Sequence, residues 1–355
     1  MHTALQTAAC FLFPLHFFYS FLYYTDVPSL FFTLAAYLAG QYQRYHTAAA
    51  LGALAVLMRQ TNAVWVAFIL ASAAVDRCLP SGGKAGRSGK QQGASGDSSA
   101  GSSTLLQEGS QFLQRAWQLK WQLLRELWPL AAVAAAFAAF VVLNGGIVVG
   151  DKSHHAPVRH LVQPLYFLFY CTAWLGPVFW SPAALAAAAR QLASQLRRQL
   201  GRTAVLAAGA AFAAVAAVRW STLVHPFLLA DNRHYTFYLW RRVLNTTPWA
   251  RYALIPAYLY SGRALQQRLS SAGRRPLWVL LLAGATCAVL VPAQLVEFRY
   301  FTIPFYLCLL HMRTPSPRSL AAVVALFAAA NAATLYLFLY RPFAWPDGST
   351  ARFTW

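Results

Sequence analysis

Between residues 225 and 242 an otherwise apolar chain reads HPFLLADNRHYTFYLWRR. Asp231, Asn232, Arg233, His234 and Tyr235 are consecutive, and His225 stands six positions before them. Arg233 offers a planar, permanently charged fork suited to a phosphate. His225, His234 and Tyr235 can donate further hydrogen bonds, while Asp231 and Asn232 can take sugar hydroxyls or serve as a base. Phe237, Tyr238 and Trp240 suit a sugar's apolar face or the headgroup level of a membrane. The other reading is an interfacial loop whose long side chains reach for water, which fits Trp240-Arg241-Arg242 best. Ionisable residues beside hydrocarbon are costly to keep, so the centre of the word reads as a site.

Four further polar words interrupt the apolar runs. Asp26 ends Tyr23-Tyr24-Thr25-Asp26. Arg59-Gln60-Thr61-Asn62 could contact phosphate or sugar through Arg59 and Gln60, or cap the next helix through Thr61 or Asn62. Asp151-Lys152-Ser153-His154-His155 reads as a loop with a catalytic or binding role. Its paired histidines lack metal-ligand spacing. Glu297-Phe298-Arg299-Tyr300 sets opposite charges two apart, which suits a local ion pair or a ligand site. An Asp-x-Asp motif, a glycine-rich phosphate loop and a GxSxG elbow are all missing, so a soluble nucleotide-sugar enzyme or an ATPase is a poor reading. No metal or other cofactor is expected.

The elements that must hold these words are membrane helices. The chain has 355 residues, 58% hydrophobic and 11% charged, where soluble domains carry about 25% charged residues. A bilayer core takes about 20 apolar residues per helix. Clear spans lie at 4–24, 27–42, 62–77, 129–149, 161–180, 203–222, 277–295 and 319–340, with weaker ones at 47–58, 249–261 and 300–311. The expected architecture is thus all-α, a polytopic transmembrane bundle of about eleven spans. The runs are long and unalternating, which excludes β-barrel strands.

With residues 1–3 in the cytosol, 18 of the 29 Lys and Arg fall in cytosolic loops, as the positive-inside rule requires. The polar words and the ending RPFAWPDGSTARFTW (341–355) all fall on the opposite face. The net charge of +20 is therefore mainly a topology signal, and its scatter over loops argues against nucleic acid.

Four regions are expected: first spans at 1–79, a disordered basic cytosolic insert at 80–111, an interfacial amphipathic helix at 112–127, and a catalytic bundle at 128–355 ending on the far face. The insert is rich in Gly, Ser and Gln. The interfacial helix alternates Phe112, Leu113, Trp117, Leu119 and Leu123 with Arg115, Lys120 and Arg125. The five cysteines form no disulfide or metal pattern and read as small buried hydrophobes.

FLYYTD (21–26), RQTN (59–62) with its following Ala-Val-Trp, NGGIVVGDKSHH (144–155), the 225–242 word, LVEFRYF (295–301) and the ending to Trp355 together resemble one family. It is the dolichyl-phosphate-glucose-dependent α-1,2-glucosyltransferase family of the endoplasmic reticulum. The words run in the family's order over most of the chain.

The resemblance implies a membrane-embedded glycosyltransferase of the GT-C class. Its donor would be dolichyl phosphate glucose and its acceptor the diglucosylated oligosaccharide on dolichyl diphosphate. Both would be used at the luminal face, with inversion at the sugar. Membrane lipid is the implied surrounding partner. The family opens with a further span and a luminal loop bearing Asp-Glu beside Ile-Phe-His, and GT-C enzymes usually take their base from that loop. These residues start after it. Among those present, Asp231 and then Asp26 are the candidate catalytic acids. Arg233 and Arg299 are the expected phosphate partners. The remaining expected donor contacts are His225, Asn232, His234, Tyr235, Glu297, Asp151, Lys152, Arg59 and Gln60. Two alternatives stay open: a transporter or flippase for a lipid-linked sugar, and an inactive truncated homologue.

Overall fold

A computed structural model describes residues 2–79, 104–147, 158–345 and 347–355. In chain order the helices are α1 (His2–Phe11), α2 (Pro14–Tyr19), α3 (Asp26–Gln41), α4 (Tyr45–Met58), α5 (Asn62–Cys78), α6 (Leu105–Gln118), α7 (Lys120–Asn144), α8 (Gln163–Trp174), α9 (Gly176–Phe179), α10 (Pro182–Arg198), α11 (Leu200–Trp220), α12 (Pro226–Ala230), α13 (Tyr235–Leu239), α14 (Ala250–Ala253), α15 (Ile255–Ser271), α16 (Pro276–Leu290), α17 (Thr302–His311) and α18 (Pro317–Tyr340). A two-residue hairpin follows, β1 (Phe343–Ala344) against β2 (Thr350–Ala351), antiparallel, with Phe343 opposite Ala351. The all-α expectation holds.

Among the described residues three helices are long and apolar enough to cross a membrane: α7, α11 and α18. α4 and α16 are apolar but shorter. Several expected spans are instead broken at prolines, which lack an N–H and clash with the preceding turn. The run 4–24 divides into α1 and α2 before Pro14, 161–180 into α8 and α9 before Pro177, and 249–261 into α14 and α15 before Pro256. Between the expected spans 161–180 and 203–222 the chain is largely helical, in α10.

The helix placed at 112–127 begins earlier, at Leu105. Thr104 accepts from the Gln107 N–H, and the Gln107 side chain accepts from the Thr104 N–H, closing a capping box. It stops at Gln118, and α7 takes over from Lys120. The part of the expected insert from 80 to 103 lies outside the described residues.

The chain forms two compact units. One comprises Phe32–Ile147 and Arg274–Ala285. Here α4, α5 and α7 pack together, and glycine permits the closest approach. A Cβ on Gly52 would stand 2.9 Å from a Val66 methyl, and one on Gly40 3.0 Å from Ile69. Arg77 and Glu126 pair across α5 and α7. Glu108 is buried on α6, where its Oε2 accepts from the Leu277 N–H at 3.0 Å and Oε1 lies 3.6 Å from Arg275. A carboxylate there satisfies a donor in the first turn of α16.

The other unit comprises Met1–Phe31, Val148–Gly273 and Thr286–Trp355. Its aromatic centre is Phe13, stacked on Phe305 at 4.1 Å and edge-on to Phe327, Trp174 and Tyr170. The break before Pro14 leaves main-chain carbonyls without helical partners, and polar side chains from elsewhere take them. Asn331 Nδ2 donates to Leu12 O at 2.8 Å, and the Tyr306 hydroxyl to Cys10 O at 2.6 Å. A second buried polar knot ties three segments. His160 is fully buried, with Nδ1 3.1 Å from Gln294 O and Nε2 accepting from the Leu223 N–H at 3.4 Å. Gln163 Nε2 donates to Ala293 O and Leu295 O. This knot fixes the stretches that lead into His225 and into Glu297.

All five cysteines are free, and Cys78, Cys171 and Cys308 are buried, consistent with their reading as small hydrophobes.

Candidate active site

The loop between α12 and α13 folds on its own polar side chains. His225 precedes α12 with extended backbone, and its Nδ1 accepts from the Phe227 N–H at 3.1 Å. Its Nδ1 is therefore engaged at the start of that helix. Asp231 follows α12 and receives Arg233 three times: from its main-chain N–H at 3.0 Å, from Nε at 2.9 Å and from Nη2 at 2.6 Å. Such a two-pronged pair is rigid. Burial works to raise the Asp231 carboxyl, but the Arg233 hydrogen bonds outweigh it and hold it below its ordinary value. The Arg233 guanidinium is raised in turn.

The chain's last described segment closes over this loop. The Thr354 N–H donates to Arg233 O at 2.9 Å, making an isolated parallel bridge between His234 and Thr354. His234 Nδ1 lies 2.8 Å from Trp355 O and 3.1 Å from Thr354 Oγ1, and its Nε2 is 3.3 Å from Asp231 Oδ2. The Tyr235 ring lies 4.2 Å from that of Trp355, and its hydroxyl meets Thr334 Oγ1 of α18 at 3.0 Å. Trp345 stacks under Arg233 at 4.7 Å, and its Nε1 donates to Asn232 Oδ1 at 3.4 Å. Arg352 anchors the segment by donating to Phe338 O and Leu339 O, near the end of α18.

A second charged group gathers on Arg299. It pairs with Glu297 and, at 3.5 Å, with Asp26 at the start of α3. The rings of Tyr19 and Tyr24 lie 5.7 and 5.4 Å from its guanidinium. Burial works against the Arg299 charge, yet the Glu297, Tyr19 and Asp26 fields overcome it and hold the cation firmly. The two groups meet at Trp355: the Tyr19 hydroxyl donates to Trp355 O at 2.9 Å, the same oxygen that faces His234.

Of the expected site residues, Asp231, Asn232, Arg233, His234 and Tyr235 thus stand in one group, and Asp26, Glu297 and Arg299 in another beside it. Glu297 and Arg299 form the local ion pair that was one of their two readings. Arg59 and Gln60 belong to the other unit, at the junction of α4 and α5. Thr61 makes no capping hydrogen bond there, and Asn62 Nδ2 instead donates back to Ala55 O at 2.7 Å. Asp151 and Lys152 lie outside the described residues. Tyr19, Trp345, Thr354 and Trp355 join the site without having been singled out. The polar character of the ending 341–355 pointed toward Trp345, Thr354 and Trp355, and nothing in the sequence pointed toward Tyr19.

Among the described residues no group of three or more His, Cys, Asp and Glu side chains could hold a metal ion.

The pattern of the DIE2/ALG10 family matches residues 1–310. A relative from Arabidopsis thaliana is 37% identical over 381 residues, covering 97% of this chain and 74% of the relative. Relatives from Rattus norvegicus and Homo sapiens are 34% and 33% identical, each covering 99% of this chain and 72% of their own length. All three are named Dol-P-Glc:Glc(2)Man(9)GlcNAc(2)-PP-Dol alpha-1,2-glucosyltransferase. No solved structure matches.

Proposed function

The chain belongs to the DIE2/ALG10 family, and we propose that it transfers glucose from dolichyl phosphate glucose to the diglucosylated lipid-linked oligosaccharide in α-1,2 linkage. The observation that carries this reading is the near-complete coverage of the chain by relatives that all bear that one activity in their names. The reaction takes place at the luminal face of the endoplasmic reticulum membrane. The fold is a GT-C bundle of about eleven spans, some of them broken or short. The distribution of Lys and Arg supports that orientation, because it leaves the Asp231 and Arg299 groups on the face away from the cytosol.

In the transfer, a hydroxyl oxygen of the acceptor glucose forms a bond to C1 of the donor glucose. The bond from C1 to the phosphate oxygen breaks, and its electron pair leaves with dolichyl phosphate. The hydroxyl proton passes to a base, and attack opposite the leaving group inverts C1.

The two charged groups divide this work by net charge. Arg233 and His234 surround one carboxylate, Asp231, and suit the departing phosphate, where negative charge grows. Arg299 was expected to share that role. It faces two carboxylates, Glu297 and Asp26, and their surplus negative charge suits drawing a proton rather than steadying a phosphate. Asp26 and Asp231 therefore remain the two candidate acids, with Asp231 also holding Arg233 in place. Trp345 and Tyr24 supply aromatic faces for the sugar.

Complementation tests the reading. In cells lacking the last glucosylation step, the natural reading frame that contains this chain should restore the triglucosylated lipid-linked oligosaccharide, and Asp26→Asn and Asp231→Asn should each reduce it. A membrane-inserted protein that moves lipid-linked sugar without glucosylating it would support the flippase reading instead.

A further inference from the structure

Arg44, Arg77, Arg125 and Glu126 are distant in sequence, yet they line one open cavity of about 470 Å³. All belong to the unit that contains Phe32–Ile147. Arg44 stands just before α4, Arg77 lies in the last turn of α5, and Arg125 and Glu126 lie early in α7. Each charge stands at the end of an apolar run: residues 27–43, 47–58, 62–75 and 127–144 carry no charged side chain. Packing of these runs gathers the charges at one place.

The cations there outnumber what the protein offers them. Glu126 pairs with Arg77 and also accepts from Gln122 Nε2 at 3.0 Å. Arg77 Nη1 donates to Gln43 Oε1 at 3.4 Å. The guanidiniums of Arg44 and Arg125 line the same cavity with no hydrogen-bond or ion-pair partner among the described residues. Arg125 acts on Glu126 only through its field. Three guanidiniums against one carboxylate leave two positive charges in excess. No side chain caps α4, whose first turn also lines the cavity through His46 and Thr47. An uncapped helix start adds donors and positive field for an anion.

The rim is specified as well. Gln43 closes α3 with a φ of 59°, in the left-handed region. Its N–H donates to Gly40 O and that of Arg44 to Ala39 O, a helix ending in which glycine is the ordinary choice. A side chain there is strained, and this one holds Arg77. Tyr42, Trp121 and Trp128 are all more than half exposed, as rings at the headgroup level of a bilayer are. Trp128 meets the ring of His46 edge-on at 5.6 Å. α7 is apolar enough to cross a membrane, and its uncharged run begins directly after Glu126.

We propose that this cavity binds the phosphate monoester of an anionic lipid headgroup, received by Arg44 and Arg125 and by Arg77, which Glu126 and Gln43 hold in place. Phosphate takes the forked hydrogen bonds of guanidinium groups. As a monoester it carries about −1.5 to −2 charge near neutral pH, which matches the excess. A lipid is the source that fits, because the charges stand where apolar helices meet water.

The test is native mass spectrometry of the full chain in neutral detergent, titrated with dioleoyl phosphatidic acid. Wild type should retain one such lipid. Arg44→Ala and Arg125→Ala should each weaken retention about tenfold, the loss expected for a charge-assisted hydrogen bond. Dioleoyl phosphatidylcholine, whose headgroup has no net charge, should be held about tenfold more weakly than phosphatidic acid. Arg197→Ala, at the exposed basic end of α10, should leave retention unchanged. Inorganic phosphate equimolar with the lipid should not displace it.

Four results would overturn the proposal. Wild type could retain no phosphatidic acid, or Arg44→Ala and Arg125→Ala could retain it as wild type does. Arg197→Ala could weaken retention equally, which would mean attraction to any basic surface. Equimolar inorganic phosphate could displace the lipid, which would make free phosphate the ligand. Arg44 and Arg125 are exposed, so both variants should melt with wild type. Where an alanine variant does not, Arg44→Gln or Arg125→Gln, which keeps most of the stem, decides in its place. Lipid retention is read without glucosyl transfer, so the outcome is separate from the function proposed above.

Discussion

At the scale of single residues, one carboxylate organises its loop. Asp231 holds Arg233 in a fork, with His234 Nε2 3.3 Å from its Oδ2, so each substitution there has a distinct signature. Arg233→Ala should lower glucose transfer by about 100-fold or more, the size of effect expected when a preorganised donor to developing charge is removed. The protein should still insert into the membrane, and unchanged activity would remove Arg233 from the chemistry.

Asp231→Asn bears on stability as well. The Asp231 carboxyl is held below its ordinary value by Arg233 against the effect of burial. Its ionised form therefore stabilises the fold above the unfolded carboxylate value, and that contribution is lost as pH falls through the lower, folded value. Wild type should melt above Asp231→Asn near neutral pH, and the gap should close on acidification. A gap that stays constant would mean the pair does not stabilise the fold through ionisation.

Much of the first charged group was legible, because Asp231 to Tyr235 are adjacent in sequence. Its partners were not. Trp355 O is shared by Tyr19 and His234, residues that no local spacing connects, and a main-chain oxygen carries no residue type to read.

At the scale of elements, proline decides where apolar runs stop being single helices. The run from 4 to 24 is apolar throughout, and a hydropathy average reads through Pro14. The helix breaks there, and Asn331 and Tyr306 take up the freed carbonyls. Asn331→Leu should cost about 1–3 kcal/mol, the price of leaving a buried carbonyl without a donor. Thermal unfolding measures it, and no loss would mean that Leu12 O finds another partner.

Glycine matters where helices touch. Gly52→Ala would push a methyl to 2.9 Å from Val66, and overpacking of that kind costs about 1–3 kcal/mol. A melting point equal to wild type would show that Val66 can turn away. The capping pair Thr104 and Gln107 was visible in the sequence as an S/T-x-x-Q signature, but the low-complexity character of the preceding segment masked it. As a result the expected linker ran too far.

At the scale of the molecule, that boundary changes what can be removed. Deleting residues 82–102 takes only polar, low-complexity sequence and should leave activity and stability near wild type. Extending the deletion to 108 also removes the α6 cap and Glu108, which holds Leu277 N–H and Arg275. The longer deletion should lower the melting temperature clearly. Equal behaviour of the two deletions would contradict the structural role of Glu108.

The asymmetry of Lys and Arg can be read from composition and loop order alone. Under the proposed orientation it leaves both charged groups on the side away from the cytosol. The number of true spans was less legible, because broken and short helices share the hydropathy of continuous ones.

The central claim is glucosyl transfer onto the diglucosylated lipid-linked oligosaccharide, and one measurement meets it directly. Cells lacking the last glucosylation step are supplied with the natural reading frame containing this chain, and their lipid-linked oligosaccharides are resolved by size. The account predicts that the triglucosylated species appears with the wild-type sequence and is lost with Arg233→Ala. A membrane-inserted wild-type protein that leaves only the diglucosylated species would contradict it.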